Sequence, residues 1–223
     1  MGKLFNLDSP ILKALGTLAD LCILNIMTLI GCLPIITAGA SITAMHYVLL
    51  KMVRNEEGYV WKDFWKSFKE NLRQATAIWS VLMIFVAFFL VDCYIFKSLI
   101  ETVSMPMLAV AGAFGLFLYM IYLYAFPLLS HFHNSVFGTI KNAFFVGVMA
   151  FPQTVLMMIA TALPIILVYQ YTQILPLVVM YGFTGSGYFC AWLYSKTFKK
   201  LEPKAETAEK TVKNENKEMI DKN

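Results

Sequence analysis

Apolar residues fill this chain in long blocks. From Ala75 to Phe96 the sole charge is Asp92, and 107–129, 143–169 and 174–194 carry none. Each block exceeds the ~18 residues that mark a helix able to span a bilayer. Barrel strands would alternate apolar and polar positions over ~10 residues, and these blocks do not alternate. Lipid offers backbone groups no water, so each segment must pair its own N–H and C=O groups, which a helix does. The pattern predicts an all-α, polytopic transmembrane helical bundle and excludes a soluble globular domain.

The first third needs closer reading. Ser9 is a good N-cap, Pro10 suits the first helical position, and Asp8 lies where the helix dipole favours negative charge. Between Lys13 and Lys51 the only ionisable groups, cysteines and Tyr47 aside, are Asp20 and His46. That interval is too long for one crossing of ~20 residues and slightly short for two. Pro34, which has no N–H to donate, and the small run Ala38-Gly39-Ala40-Ser41 interrupt it. The expectation is a span at about 10–32, a turn at 33–39 with Pro34, Thr37 and Gly39 as its candidate residues, and a short returning helix at about 40–54. The stretch is too long for a secretory signal, carries Asp20 and lacks an A-x-A type cleavage site.

Residues 58–73 follow a different pattern. Trp61, Phe64, Trp65, Phe68 and Leu72 recur every three or four positions, and Lys62, Lys66, Lys69 and Arg73 form a second stripe. This predicts an amphipathic interfacial helix before span three, an anchor in the headgroup layer and a candidate docking surface. The remaining spans are expected at about 74–97, 107–130, 140–169 and 173–196.

Charge decides between topologies. Five crossings would leave Lys3, Lys13 and Lys97 outside. Six crossings with both ends inside leave only Lys97 there, which satisfies the positive-inside rule better. Six spans are preferred, with five as the alternative, over a membrane domain of residues 1–200.

Composition adds little to the class: 59% of residues are hydrophobic and 14% charged, against about 25% charged in ordinary soluble domains. A net charge of +4 is too small to argue for nucleic acid. The tail, 201–223, holds five lysines and five acids after Pro203 and almost no apolar residues. It reads as a charged cytosolic tail, partly helical or disordered.

Candidate chemistry is sparse. Asp20 and Asn25 are intramembrane polar residues and thus functional suspects. Asn25 shares a mildly polar stripe with Thr28 and Cys32, from which Asp20 is rotated by about 140°. Helix–helix pairing is the preferred reading for both. His131 and His133 lack further ligands at metal-site spacing, and the four cysteines show no CxxC pattern. The run 182–187 lacks a P-loop lysine and reads as close helix packing, as do the small residues four apart in 109–115. Leu33-Pro34-Ile35-Ile36 recurs as Leu163-Pro164-Ile165-Ile166, a match that four apolar residues can produce by chance. No catalytic residue, metal ligand or cofactor motif is found, and no enzymatic activity is expected.

One set of residues carries a resemblance. Asn25, the run Leu33-Pro34-Ile35-Ile36-Thr37-Ala38-Gly39-Ala40, Thr43-Ala44, Tyr47, the run from Asp63 to Asn71 and Gln74-Ala75 resemble the YesL-like family of bacterial integral membrane proteins, a domain of unknown function. The specific motifs cover about residues 5–80. The family has no assigned catalytic residues, so none carries over. Its genes often lie beside sugar ABC importers and polysaccharide-degrading enzymes. The resemblance implies a multi-pass protein of the bacterial cytoplasmic membrane. Its C-terminus would be cytosolic, and it would act as an accessory component of oligosaccharide uptake with ABC transporter subunits as partners. The alternative is a small independent solute transporter with a path near the broken helix at Pro34. Whether copies of the chain pair with one another is not indicated by any residue pattern.

Overall fold

A computed structural model describes the backbone of residues 10–56, 58–99, 105–132 and 134–221, and the side chains of 11–56, 58–92, 94–95, 109–132 and 134–199. Asp8, Ser9 and His133 lie outside the described residues. Seven α-helices follow in order: α1 Pro10–Cys32, α2 Ala38–Val53, α3 Val60–Leu99, α4 Met105–His131, α5 Val136–Met149, α6 Phe151–Gln170 and α7 Leu175–Asp221. There is no strand among the described residues. Six helices are long and apolar enough to cross a membrane; α5, at 14 residues, is not.

The break between α1 and α2 falls where Pro34 requires it. A short 3-10 turn, Ile35–Thr37, joins the helices. Thr37 Oγ1 donates to the carbonyls of Gly31 at 2.9 Å and Pro34 at 3.0 Å, so its hydroxyl closes the end of α1. α2 is the most buried of the six spanning helices and packs against α1, α3, α4 and α7. Small residues allow this. A Cβ on Gly31 would lie 2.7 Å from Ser41 Oγ, which donates to the carbonyl of Thr28 at 2.8 Å. Lipid is as apolar as a leucine side chain, so such close fits and hydrogen bonds, more than hydrophobic burial, hold helices together here.

Two expected boundaries are corrected. The amphipathic stretch 58–73 and the span 74–97 are one helix, α3, of 40 residues and about 60 Å. No Gly or Pro separates them, and Arg73-Gln74-Ala75-Thr76-Ala77 continues a helix without strain. Phe64 and Ala75 are both fully buried against the bundle, so packing is continuous across the expected junction. A helix this long exceeds the ~30 Å hydrocarbon layer, so its first turns extend beyond it.

The single span expected at 140–169 is two helices. Ser135 caps α5 by accepting the Gly138 N–H at 3.2 Å. Ala150 leaves helical geometry at φ −103°, ψ 34°, and Pro152 opens α6. Thr154 Oγ1 donates to the carbonyls of Gly147 at 2.8 Å and Ala150 at 3.1 Å, and pairs with Tyr124 OH at 3.0 Å. The first of these bonds gives the Gly147 carbonyl, at the end of α5, a partner, and the last ties the break to α4. The crossing segment is α6. The backbone of α7 remains helical through the tail as far as Asp221.

Candidate functional site

Asp20 is not isolated in lipid. It is half-buried at the rim of a 570 Å³ cavity bordered also by Lys13, Lys51, Glu56, Tyr59 and Asp63. Lys51 Nζ donates to Asp63 Oδ2 at 2.8 Å, which ties the end of α2 to the start of α3. A Cβ on Gly58 would collide with that pair, so the loop between the two helices closes directly over it. This is the basic end of the bundle, where a carboxylate keeps both water and counter-charges. Asp20→Asn should therefore change stability by less than about 1 kcal/mol, as for other partly exposed charges. Thermal unfolding in detergent checks this, and a loss several times larger would show that Asp20 is held in a dry site.

Asn25 has the opposite environment. It is fully buried where α1 crosses α7. Its Nδ2 donates to the Val179 carbonyl at 2.7 Å, and its Oδ1 accepts the Thr184 N–H at 3.0 Å. Thr184 Oγ1 in turn donates to the Leu21 carbonyl at 3.0 Å. Both ends of one side-chain amide are consumed by the backbone of α7. One N–H and one lone pair remain, but the side chain is fully buried and borders neither cavity described here.

The turn at Pro34 is outside the cavities. Leu33, Pro34, Ile35 and Ile36 are exposed, as befits residues facing lipid or headgroups, and neither of the two cavities described here is bordered by Pro34, Thr37, Gly39 or Asn25. Thr37 serves the helix ends, and Gly39 lies against α3.

The first turns of α3 divide their two stripes sharply. Phe64 is fully buried; Trp65 meets it edge-on at a centroid distance of 5.8 Å and Phe68 stacks on it at 6.1 Å. Of the expected aromatic docking residues only Trp61 is exposed, and its ring meets Trp65 edge-on. The aromatic face is thus a tertiary contact, not a surface free for a partner. Lys62, Lys66, Lys69 and Arg73 are all exposed. The result is a row of cations on a helix whose opposite face is locked into the bundle.

A second cavity, of 420 Å³, lies inside the bundle between α2, α4, α6 and α7. Of its polar lining, His46 stood out in the sequence as an ionisable group and Ser186 as part of the small-residue run 182–187; Tyr119, Tyr122 and Thr161 carry no motif and sit in featureless apolar blocks. Asp20, Asn25 and His46 do not meet: the first borders one cavity, the last borders the other, and Asn25 neither. Among the described residues no group of three or more His, Cys, Asp or Glu is placed to hold a metal ion.

No curated protein and no solved structure matches the chain. The stretch from the middle of α1 through α2 to the last turns of α3 does have relatives. Residues 21–93 match the model of the family described as "Protein of unknown function, DUF624", the family to which the YesL-like proteins belong.

Proposed function

We propose that this protein is a non-catalytic component of oligosaccharide uptake in the bacterial cytoplasmic membrane, working while docked on the permease of an ABC importer. The observation that carries this reading is the stripe Lys62, Lys66, Lys69 and Arg73, exposed along a helix that Phe64, Trp65 and Phe68 hold rigidly. A preordered row of cations loses little freedom when it meets an acidic surface, and it steers approach. The stripe lies within the family-matched segment. Basic residues gather at the same end of the bundle, and in this reading that end faces the cytosol with the C-terminal tail. The link to carbohydrate comes from the family resemblance alone.

Reversing the stripe with Lys62→Glu, Lys66→Glu, Lys69→Glu and Arg73→Glu should leave the protein in the membrane, because none of the four side chains is buried. It should lower uptake of a labelled oligosaccharide about as far as deleting the protein does. Unchanged uptake in both strains, over a panel of oligosaccharides, would sink the proposal. The rival reading, an independent transporter with its path at Pro34, has less support, since that turn lies exposed on the outside of the bundle and borders neither cavity.

A further inference from the structure

The cavity between α2, α4, α6 and α7 belongs neither to the basic stripe nor to the helix–helix contacts above. It persists because its walls are built from residues that do not fill it. Pro164 lies inside α6, and Gly182 and Ser186 face it from α7. Gly187, which also borders the cavity, is packed tightly: a Cβ there would lie 2.8 Å from Leu49. Its volume of 420 Å³ falls within the roughly 300–1,000 Å³ of small-molecule sites. Ile165, Leu175 and Phe183 border it and are also exposed on the outer face of α6 and α7, so the cavity's wall there is one residue thick.

The polar groups in it are few and particular. Tyr119 and Thr161 pair with each other, and Ser186 Oγ donates to the Gly182 carbonyl at 2.8 Å. His46 Nδ1 is hydrogen-bonded to Tyr194 OH at 3.1 Å, which leaves Nε2 without a partner among the described residues. Tyr122 OH has no partner there either. Both residues are half-buried and border the cavity, so a ligand there that pairs with both atoms gains hydrogen bonds that a hydrocarbon cannot supply.

The chemistry of that ligand is constrained on three sides. No Lys, Arg, Asp or Glu borders the cavity among the described residues, so a phosphate or carboxylate would enter without a counter-charge. Two open hydrogen-bonding atoms cannot satisfy the many hydroxyls of a sugar, so the cavity is not a carbohydrate path. The imidazole Nε2 is a donor in one tautomer and an acceptor in the other, and the tyrosine hydroxyl is both. A hydroxyl group pairs with either arrangement. We infer that the cavity between α2, α4, α6 and α7 binds an uncharged lipid bearing a hydroxyl group, its hydroxyl on His46 and Tyr122 and its apolar body leaving between α6 and α7.

The test uses the full chain in nanodiscs and a long-chain primary alcohol carrying a diazirine. Labelling should be saturable and should fall in peptides of α4, α6 and α7. Unlabelled alcohol should compete about tenfold better than the hydrocarbon of equal length, the worth of roughly one good hydrogen bond. Tyr122→Phe keeps the ring and removes the hydroxyl, so it should abolish most of that tenfold difference while the protein elutes unchanged. The inference is overturned by labelling that does not saturate, by a hydrocarbon that competes equally on the unsubstituted chain, or by a long-chain carboxylate that displaces the alcohol as well as the alcohol displaces itself. The comparison of alcohol with hydrocarbon needs no variant, and none of these outcomes depends on the oligosaccharide reading.

Discussion

Replacing Asn25 by leucine should lower the unfolding midpoint of the detergent-solubilised protein by roughly 5–10 °C, about 2–3 kcal/mol for a chain of this size. Leucine has the same number of side-chain heavy atoms and suits apolar depth, although its methyl groups need more room than contacts of 2.7 and 3.0 Å leave. What is lost is the pairing. Asn25 Nδ2 donates to the carbonyl of Val179, and Oδ1 accepts the N–H of Thr184, five residues further along α7. The side-chain amide therefore acts as an extra peptide group bound along the ladder of α7. Its removal deprives the buried Thr184 N–H and the part-buried Val179 carbonyl of a partner together, and water is scarce at that depth. Single hydrogen bonds between membrane helices average well under 1 kcal/mol, and the larger figure here rests on two bonds sharing one side chain. Asn25→Asp is a sharper variant. It keeps the acceptor for Thr184, cannot donate to Val179 and adds a charge in a dry contact, so it should cost at least as much. A shift below about 2 °C for both variants would show that α1 and α7 are held together by other contacts.

Asn25 also shows where sequence reasoning succeeds and where it stops. Its stripe with Thr28 pointed to helix pairing, and both are buried, but nothing in one sequence names α7 as the partner. The break at Pro34 was legible because proline cannot donate, whatever surrounds it. The break at Ala150 was not, although Pro152 stands beside it. Residues 143–169 carry no charge, and hydropathy does not register backbone geometry. A proline in the first turn of a helix marks a start, as Pro10 does for α1, and at Pro152 that signal was submerged in a continuous apolar block. The stripes at 58–73 were correctly periodic, yet periodicity cannot tell an aromatic face turned to headgroups from one turned to α2. Phe64, fully buried, resolves that, and with it the continuity of α3. The meeting of His46 and Tyr122 at one cavity lay furthest from reach. Their open atoms are defined by what four separate helices leave uncovered.

Gly39 gives the second large effect. A Cβ there would lie 2.6 Å from the carbonyl oxygen of Ala75 and 2.7 Å from Trp79 Cβ. Neither atom can rotate away, since one is backbone and the other is fixed to it, so α2 and α3 would have to separate. Overpacking of this kind costs about 1–3 kcal/mol, and the upper end applies because the obstruction is rigid. Gly39→Ala should lower the unfolding midpoint by roughly 5 °C or more, and Gly39→Leu should abolish a monodisperse preparation. Gly16 in α1 and Gly112 in α4 supply the control, because a Cβ at either meets nothing within 4 Å. Alanine at those positions should be neutral or stabilising by up to about 1 kcal/mol, from the lower cost of ordering the chain. If Gly39→Ala behaves like Gly16→Ala, the two helices do not approach as closely as these distances require. The consequence reaches the proposed docking surface. α3 carries Lys62, Lys66, Lys69 and Arg73, and its position is set by α2, so a Gly39→Ala protein that still folds should also show weakened oligosaccharide uptake. Full uptake in a folded but destabilised Gly39→Ala protein would mean that the stripe does not need a fixed position to act.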